Sequence, residues 1–314
     1  MQIAILGATS QIAKDLIISF TAQTGHELVL FARRPEIARL WLSSVGLKNR
    51  YKVSKFEAFS EDNHYDAILN LVGVGNPVQA LAAGSSIFET TLKHDEMALK
   101  YQIKHPACRY VFFSSGAAYG SKFDQPVDST STSAISINNL TPQDWYAVSK
   151  LHAESRHRAM AHLPIVDVRV FNYVSWTQDI SARFFITDIL RSIKKDEKLY
   201  ISKENIVRDY IGPDDLFNLI LSIINSSATN DVVDCYTLAP VDKFTLLITM
   251  KKKFGLTYDI DGSSASVNAT GTKLNYFSKN YRAESFGYVP SKNSLDTVCE
   301  QVSLAMRDFD TSCR

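Results

Sequence analysis

The stretch QIAILGATSQIA (2–13) runs from apolar residues through a glycine into the start of a helical pattern. A short apolar run closed by glycine reads as a buried strand, and the periodicity that follows to about residue 22 reads as a helix. Strand, tight turn and helix form the first half of a βαβ unit. The glycine lets the chain turn sharply, and the helix N-terminus then presents backbone N–H groups suited to a pyrophosphate. The usual spacing for such a turn would put glycines at 7, 10 and 13; here they are Gly7, Ser10 and Ala13. Ala13 is a mild change, because close helix–sheet packing tolerates a methyl. Ser10 is a larger one, since close backbone approach to phosphate favours a residue without Cβ, although its hydroxyl can itself bond a phosphate. The expectation is a dinucleotide site built on Gly7, Thr9, Ser10, Gln11 and Ile12.

Working outward, HELVLF (26–31) reads as the second strand and YKVSKFEAF (51–59), with its polar–apolar alternation, as a half-buried third. DAILNLVG (66–73), CRYVFFSS (108–115) and PIVDVRVFNYV (164–174) read as strands four to six. Helical sequence lies at about 84–104 and 141–163, where Thr141 caps and Pro142 suits the first turn. This alternation implies right-handed crossovers and a parallel sheet buried on both faces. After about residue 175 the order loosens. A helix near 181–194, the segment VRDYIGPDDLFNLILSII, a strand VVDCYTL and a helix at 243–254 read as a smaller lobe, and the Ser/Thr/Asn-rich stretch 127–139 as a loop.

The end of the second strand bears on the cofactor. Sites for NAD place an acid there to hold the ribose hydroxyls. This chain has LVLFARRPE, with Arg33 and Arg34 after the small Ala32. Two guanidiniums suit a 2′-phosphate, so NADP(H) is favoured over NAD(H).

Bulk properties narrow the partners. At 314 residues and a formal net charge of +1, nothing favours nucleic acid or an anionic membrane surface. The triplet Lys251–Lys253 reads as a solvated helix face. Cys108, Cys235, Cys299 and Cys313 are scattered, with no metal-binding spacing and no disulfide framework; Cys108 and Cys235 read as small buried residues. No metal site is expected. There is no apolar stretch of membrane-spanning length and no signal peptide, so the cytoplasm is the expected location.

The pattern Tyr-x-x-x-Lys occurs three times, at Tyr51–Lys55, Tyr146–Lys150 and Tyr288–Lys292. About one chance match is expected in a chain this rich in both residues. On a helix this spacing puts a phenol and an ammonium on one face, where the cation lowers the phenol's pKa and prepares it for acid/base work. Tyr51 stands at the start of a strand, at the wrong end of the sheet. Pro290 disfavours a helix between Tyr288 and Lys292. Only YAVSK (146–150) lies on a helix after the fifth strand, whose end SSGAAYG (114–120) supplies a hydroxyl. Hydroxyl, phenol and ammonium can then converge on one carbonyl carbon.

With these motifs in order, and with RVFN (169–172) and RDYIGPDDL (208–216) after them, most of the chain resembles the extended short-chain dehydrogenase/reductase family. The resemblance is to its nucleotide-sugar epimerases, dehydratases and reductases. It implies a Rossmann-type doubly wound α/β fold over 1–174 and a mainly substrate-binding lobe over 175–314, interleaved with segments returning to the first domain. It also implies Ser115 as the hydroxyl on the reacting oxygen, Tyr146 as acid/base and Lys150 as the group that orients the ribose. Leu71, Val72, Gly73 and Phe171 would line the cofactor, with Tyr146 and Lys150. Ser115, Asn172 and Arg208 would bind substrate, the last two at its diphosphate. A homodimer through the helix carrying Tyr146, and a role in surface polysaccharide synthesis, belong to the same implication.

Two departures refine it. Family dehydratases carry Asp-Glu directly after the active hydroxyl, where this chain has Gly116 and Ala117, so a 4,6-dehydratase is not expected. Family epimerases often carry Ser or Thr at the second of these positions. The expected activity is NADPH-dependent reduction of a keto nucleotide-sugar, such as a 4-keto-6-deoxyhexose. The alternatives are an NAD-dependent C4 epimerase and a non-catalytic dinucleotide-binding sensor.

Overall fold

The computed structural model describes residues 1–73, 82–260 and 273–312. Seven strands form one parallel sheet: β1 (Gln2–Leu6), β2 (Glu27–Phe31), β3 (Lys52–Ser54), β4 (Ala67–Asn70), β5 (Arg109–Ser115), β6 (Ile165–Val170) and β7 (Asp231–Asp234). Their order is β7-β6-β5-β4-β1-β2-β3. The order reverses between β1 and β4, since Ala4 pairs with Val29 on one side and Ile68 on the other. In such sheets a ligand binds beyond the carboxyl ends of the strands at the reversal.

The sheet is covered on both faces, which is why β1 reads as an unbroken apolar run. Ile3 and Ile5 face α1 (Gln11–Gln23), where Leu16, Ile17 and Phe20 meet them. Ala4 and Leu6 face the other way, toward Leu99 of α3 (Ser86–Lys104) and Ala153 of α4 (Pro142–Ala159). Helix α2 (Pro35–Ser44) follows β2 and buries Ala38 and Leu42. At the start of α4 the Asp144 carboxylate accepts from the Thr141 N–H at 2.9 Å and from its hydroxyl at 2.8 Å, which closes the first turn.

Two strand predictions change. The third strand stops at Ser54, because β2, its sole neighbour, pairs no further than Phe31. The chain then coils through Phe56–Ala58, and Phe56 and Phe59 turn onto the core beside Phe31 and Tyr65. The sixth strand ends at Val170, which is paired to Ser115, the last residue of β5. With no ladder left, Asn172–Tyr173 pairs instead with Tyr210–Ile211.

The chain after residue 175 divides its contacts. Helix α5 (Phe185–Lys195), α7 (Lys243–Phe254) and α8 (Ser294–Ser312) share a separate core of Ile189, Leu190, Leu247, Met250, Val298 and Val302. Helix α6 (Pro213–Asn225) returns to the main sheet, and Phe217 meets Phe20 of α1 edge-to-face at 5.1 Å. β7, read from sequence with the smaller lobe, joins the edge of the main sheet beside β6. Lys251, Lys252 and Lys253 are exposed at the end of α7. Cys108, Cys235 and Cys299 are buried, and burial pushes the Cys108 thiol up to about 12. Cys313 lies outside the described residues. Among the described residues no helix is long and apolar enough to cross a membrane, and no cluster of His, Cys, Asp or Glu could hold a metal.

Candidate active site

The ends of β1, β4 and β5 meet one another and helix α4, and bring many of the predicted residues together. At the end of β1, Gly7 has φ +86°, and a Cβ there would stand 3.0 Å from the backbone of Leu71 and Val72. Both the dihedral and the approach of β4 therefore demand glycine. Ser10 has φ −69° and ψ 153°, a conformation open to any side chain, and its Oγ accepts from the Ala13 N–H at 3.3 Å as the cap of α1. Ala13 is fully buried with its methyl in the core. The depleted glycine motif thus keeps a glycine where geometry requires one and substitutes where it does not. The first-turn N–H groups of α1 lack intrahelical acceptors and suit an anion. Gly7→Ala is expected to cost about 1–3 kcal/mol of stability and to weaken dinucleotide binding at least about tenfold, as thermal melts and a fluorescence titration would show.

Around this turn, Ile12 packs against the core and the Gln11 amide donates to Thr177 and, at 3.0 Å, to Asp15. Asp15 also accepts from Tyr173 at 2.7 Å and Thr177 at 2.6 Å, tying the first helix to the chain beyond β6. Thr9 is half-buried in the turn. Arg33 and Arg34 are exposed beyond β2, and among the described residues neither makes an ion pair. No carboxylate ends β2.

At the end of β4, Asn70 accepts from the Val72 N–H at 3.1 Å and donates to the Tyr110 hydroxyl at 2.8 Å, while Leu71 is buried. Gly73 stands so close to α4 that a Cβ there would lie 3.5 Å from the Lys150 ammonium. Glycine at 7 and 73 thus lets the turn after β1 approach the end of β4, and the end of β4 approach Lys150.

Ser115 ends β5, and its Oγ accepts from the Ala117 N–H at 3.1 Å. Tyr146 and Lys150 project from α4 toward it. Lys150 is 3% exposed and donates to the Phe113 carbonyl at 2.8 Å, with its ammonium 5.9 Å from the Tyr146 ring centre. Burial lowers Lys150 to about 8, against the pull of Glu154. Burial raises the Tyr146 phenol, and the neighbouring Ser115 hydroxyl pulls it back. Behind the pair, Glu154 receives a bond from Ser114 and is held by Arg169 at 2.5 Å, which braces the serine-bearing strand against α4.

The other two Tyr/Lys pairs lie elsewhere. The Tyr51 hydroxyl bonds Thr21 at 2.8 Å at the amino end of β3. Tyr288 is buried, donating to the Tyr236 carbonyl at 2.9 Å, and Lys292 pairs with Glu300 at 2.6 Å.

Near the three catalytic candidates are residues that follow β6 and residues from later in the chain. The Asn172 amide donates to the carbonyls of Asp209 and Tyr276, each at 3.2 Å. Arg208 donates to the Val207 carbonyl at 2.8 Å, and burial lowers its pKa. Its neighbour Asp209 is bound by Thr237 and Ser294 and serves the fold. Phe171 sits over Gly116, where any Cβ would come within 2.4 Å of its ring, and packs with Tyr119, Phe123 and Tyr276. Two residues of this face carry no motif: the Tyr276 hydroxyl lies 3.5 Å from Ser115 Oγ, and the Lys273 ammonium lies 4.4 Å from the Tyr276 ring centre. They arrive because Asn275–Tyr276 adds to Val207–Arg208 as a two-residue strand, a pairing too short to leave a periodicity.

Comparison with known proteins agrees with this fold. No curated protein sequence matches the chain significantly. Among solved structures, UDP-glucose 4-epimerase from Thermotoga maritima is 17% identical, with a TM-score of 0.77 over 98% of this chain and 99% of that one. UDP-glucuronic acid 4-epimerase from Bacillus cereus, solved with UDP-glucuronic acid and NAD, is 16% identical, with a TM-score of 0.75 over 98% and 99%. dTDP-glucose 4,6-dehydratase from Bacillus anthracis, solved with NAD, is 15% identical, with a TM-score of 0.77 over 99% and 98%. At these identities the likeness is one of fold. The sequence profile of the NAD dependent epimerase/dehydratase family matches residues 3–238, and the chain belongs to that family of NAD(P)-dependent enzymes.

Proposed function

We propose that the protein reduces a keto group on a nucleotide-diphosphate sugar, using NADPH. The observation that carries this reading is the convergence of Ser115, Tyr146 and Lys150 at the end of β5, with Tyr276 between Ser115 and Arg208 and with exposed Arg33 and Arg34 just beyond β2. Gly7, Thr9, Ser10, Gln11 and Ile12 would hold the pyrophosphate, and Leu71, Val72 and Gly73 would flank the rest of the dinucleotide. When bound, the dinucleotide supplies the hydride that reduces the carbonyl carbon. Ser115 donates a hydrogen bond to the reacting oxygen. Tyr146, kept protonated by burial, gives its proton to that oxygen as negative charge develops. The Lys150 ammonium stabilises the phenolate that remains. Asn172 and Arg208 bind the substrate diphosphate.

A second reading, an NAD-dependent C4 epimerase, draws on the likeness to UDP-sugar 4-epimerases. It uses the same three residues, so the cofactor decides. Replacing Arg33 and Arg34 with Ala is expected to weaken NADPH binding about 10- to 100-fold and leave NADH binding little changed. The measurement is a titration of purified protein with each dinucleotide, alongside analysis of nucleotide released on denaturation. Stoichiometric retained NAD⁺, with no preference for NADPH, would overturn the reductase in favour of the epimerase.

A further inference from the structure

We propose that Lys273 is a second cationic ligand, beside Arg208, for the diphosphate of the substrate; this rests on the nucleotide-sugar reading above. Lys273 is 4% exposed. Its ammonium lies 4.4 Å from the ring centre of Tyr276 and 4.8 Å from that of Phe123, and among the described residues it has no hydrogen-bond acceptor and no carboxylate in contact. Arg208 lies 5.8 Å from the same Tyr276 ring, and its contacts are the backbone carbonyls of Val207 and Leu274. A buried lysine and a half-buried arginine therefore attend one aromatic ring whose hydroxyl reaches Ser115 at 3.5 Å.

A buried charge without a counter-charge is costly, and two neighbouring ones repel as well. Burial and then Arg208 push Lys273 down to about 8, and Asp144, at the start of α4, pulls the other way. Tyr276 adds no charge, since burial raises its phenol far above the working range. A dianion seated between the cations relieves both costs. A diphosphate has that charge, and it lies a few atoms from the sugar carbon that Ser115 and Tyr146 attend. A carboxylate on the sugar offers the same oxyanion chemistry, so the test separates the two.

The enzyme saturated with NADPH is titrated calorimetrically with UDP, dTDP, GDP and CDP, and with UDP-glucuronate, as wild type, Lys273→Met and Lys273→Arg. Lys273→Met should weaken the tightest-binding nucleoside diphosphate about 10- to 100-fold, and Lys273→Arg should retain binding. At about pH 8.5 the wild type should take up more protons on binding than Lys273→Met, because an anion raises the ammonium's pKa. A merely structural lysine would not produce that difference. If Lys273→Met binds every nucleoside diphosphate as the wild type does, the inference is overturned. If it loses affinity for UDP-glucuronate alone, the anion sits on the sugar and the diphosphate assignment is overturned. If the wild type binds none of the nucleotides, the nucleotide-sugar reading itself fails and takes this inference with it.

Discussion

Tyr146→Phe is expected to cut turnover by about 100- to 10,000-fold, because it deletes the proton that the proposed mechanism delivers to the reacting oxygen. The substitution keeps the ring and leaves Lys150 bonded to the Phe113 carbonyl, so the glycine turn after β1 and the end of β4 are untouched. Dinucleotide affinity should therefore stay within about threefold of wild type. Tyr51→Phe and Tyr288→Phe are the controls. One hydroxyl bonds Thr21 and the other a buried carbonyl of Tyr236, so each should leave the rate nearly unchanged, with the second costing about 1 kcal/mol of stability. Initial rates with a keto nucleotide-sugar, and an NADPH titration of each variant, are the measurements. A Tyr146→Phe enzyme working at near wild-type rate would sink the assignment.

His157→Leu is expected to destabilise the fold by about 3–5 kcal/mol without touching the site. His157 is fully buried between two carboxylates, with Asp167 at 2.6 Å from one ring nitrogen and Asp95 at 2.7 Å from the other. Arg156 and Arg158 reach the outer oxygens of these acids, and Tyr110 donates to Asp95. Leucine would leave two buried carboxylates short of a donor each. Burial opposes the imidazolium, but Asp167 and Asp95 outweigh it and hold the pKa up at about 9. The folded pKa is raised above the unfolded value near 6.5, so this stabilisation is complete below that value and is lost as pH rises through about 9. It amounts to roughly 3 kcal/mol. Denaturant unfolding of the wild type from about pH 6 to pH 10 should show the decline, and His157→Leu should flatten it. Equal slopes in the two proteins would refute the assignment.

The fold was largely legible because its signals are local. An apolar run ending at Gly7, repeated strand–helix alternation and the capped start of α4 each follow from a few neighbouring residues. Boundaries were harder where a distant partner sets them: Val170 ends its strand because Ser115 ends the neighbouring one, and Ser54 because Phe31 does. The separation of YAVSK from its two look-alikes was also legible, since sheet polarity and Pro290 sort them. What the sequence hid depends on contacts between remote segments. Tyr276 reaches Ser115 from a two-residue strand in a stretch without motifs, and Lys273 lies over the Tyr276 ring. Asp95, His157 and Asp167 come from three elements, and each alone reads as a surface charge. Ser10 looked like a defect in a glycine motif until its backbone angles and its cap on α1 explained it.

The ring of Phe171 over Gly116 has a consequence for how this chain could change its chemistry. A catalytic acid directly after the serine cannot be added by one substitution, because any Cβ at 116 collides with that ring. A smaller side chain at 171 has to come first, and it would loosen the aromatic cluster with Tyr119, Phe123 and Tyr276 before any acid arrived. Any redesign toward elimination chemistry therefore has to treat positions 116 and 171 as a pair.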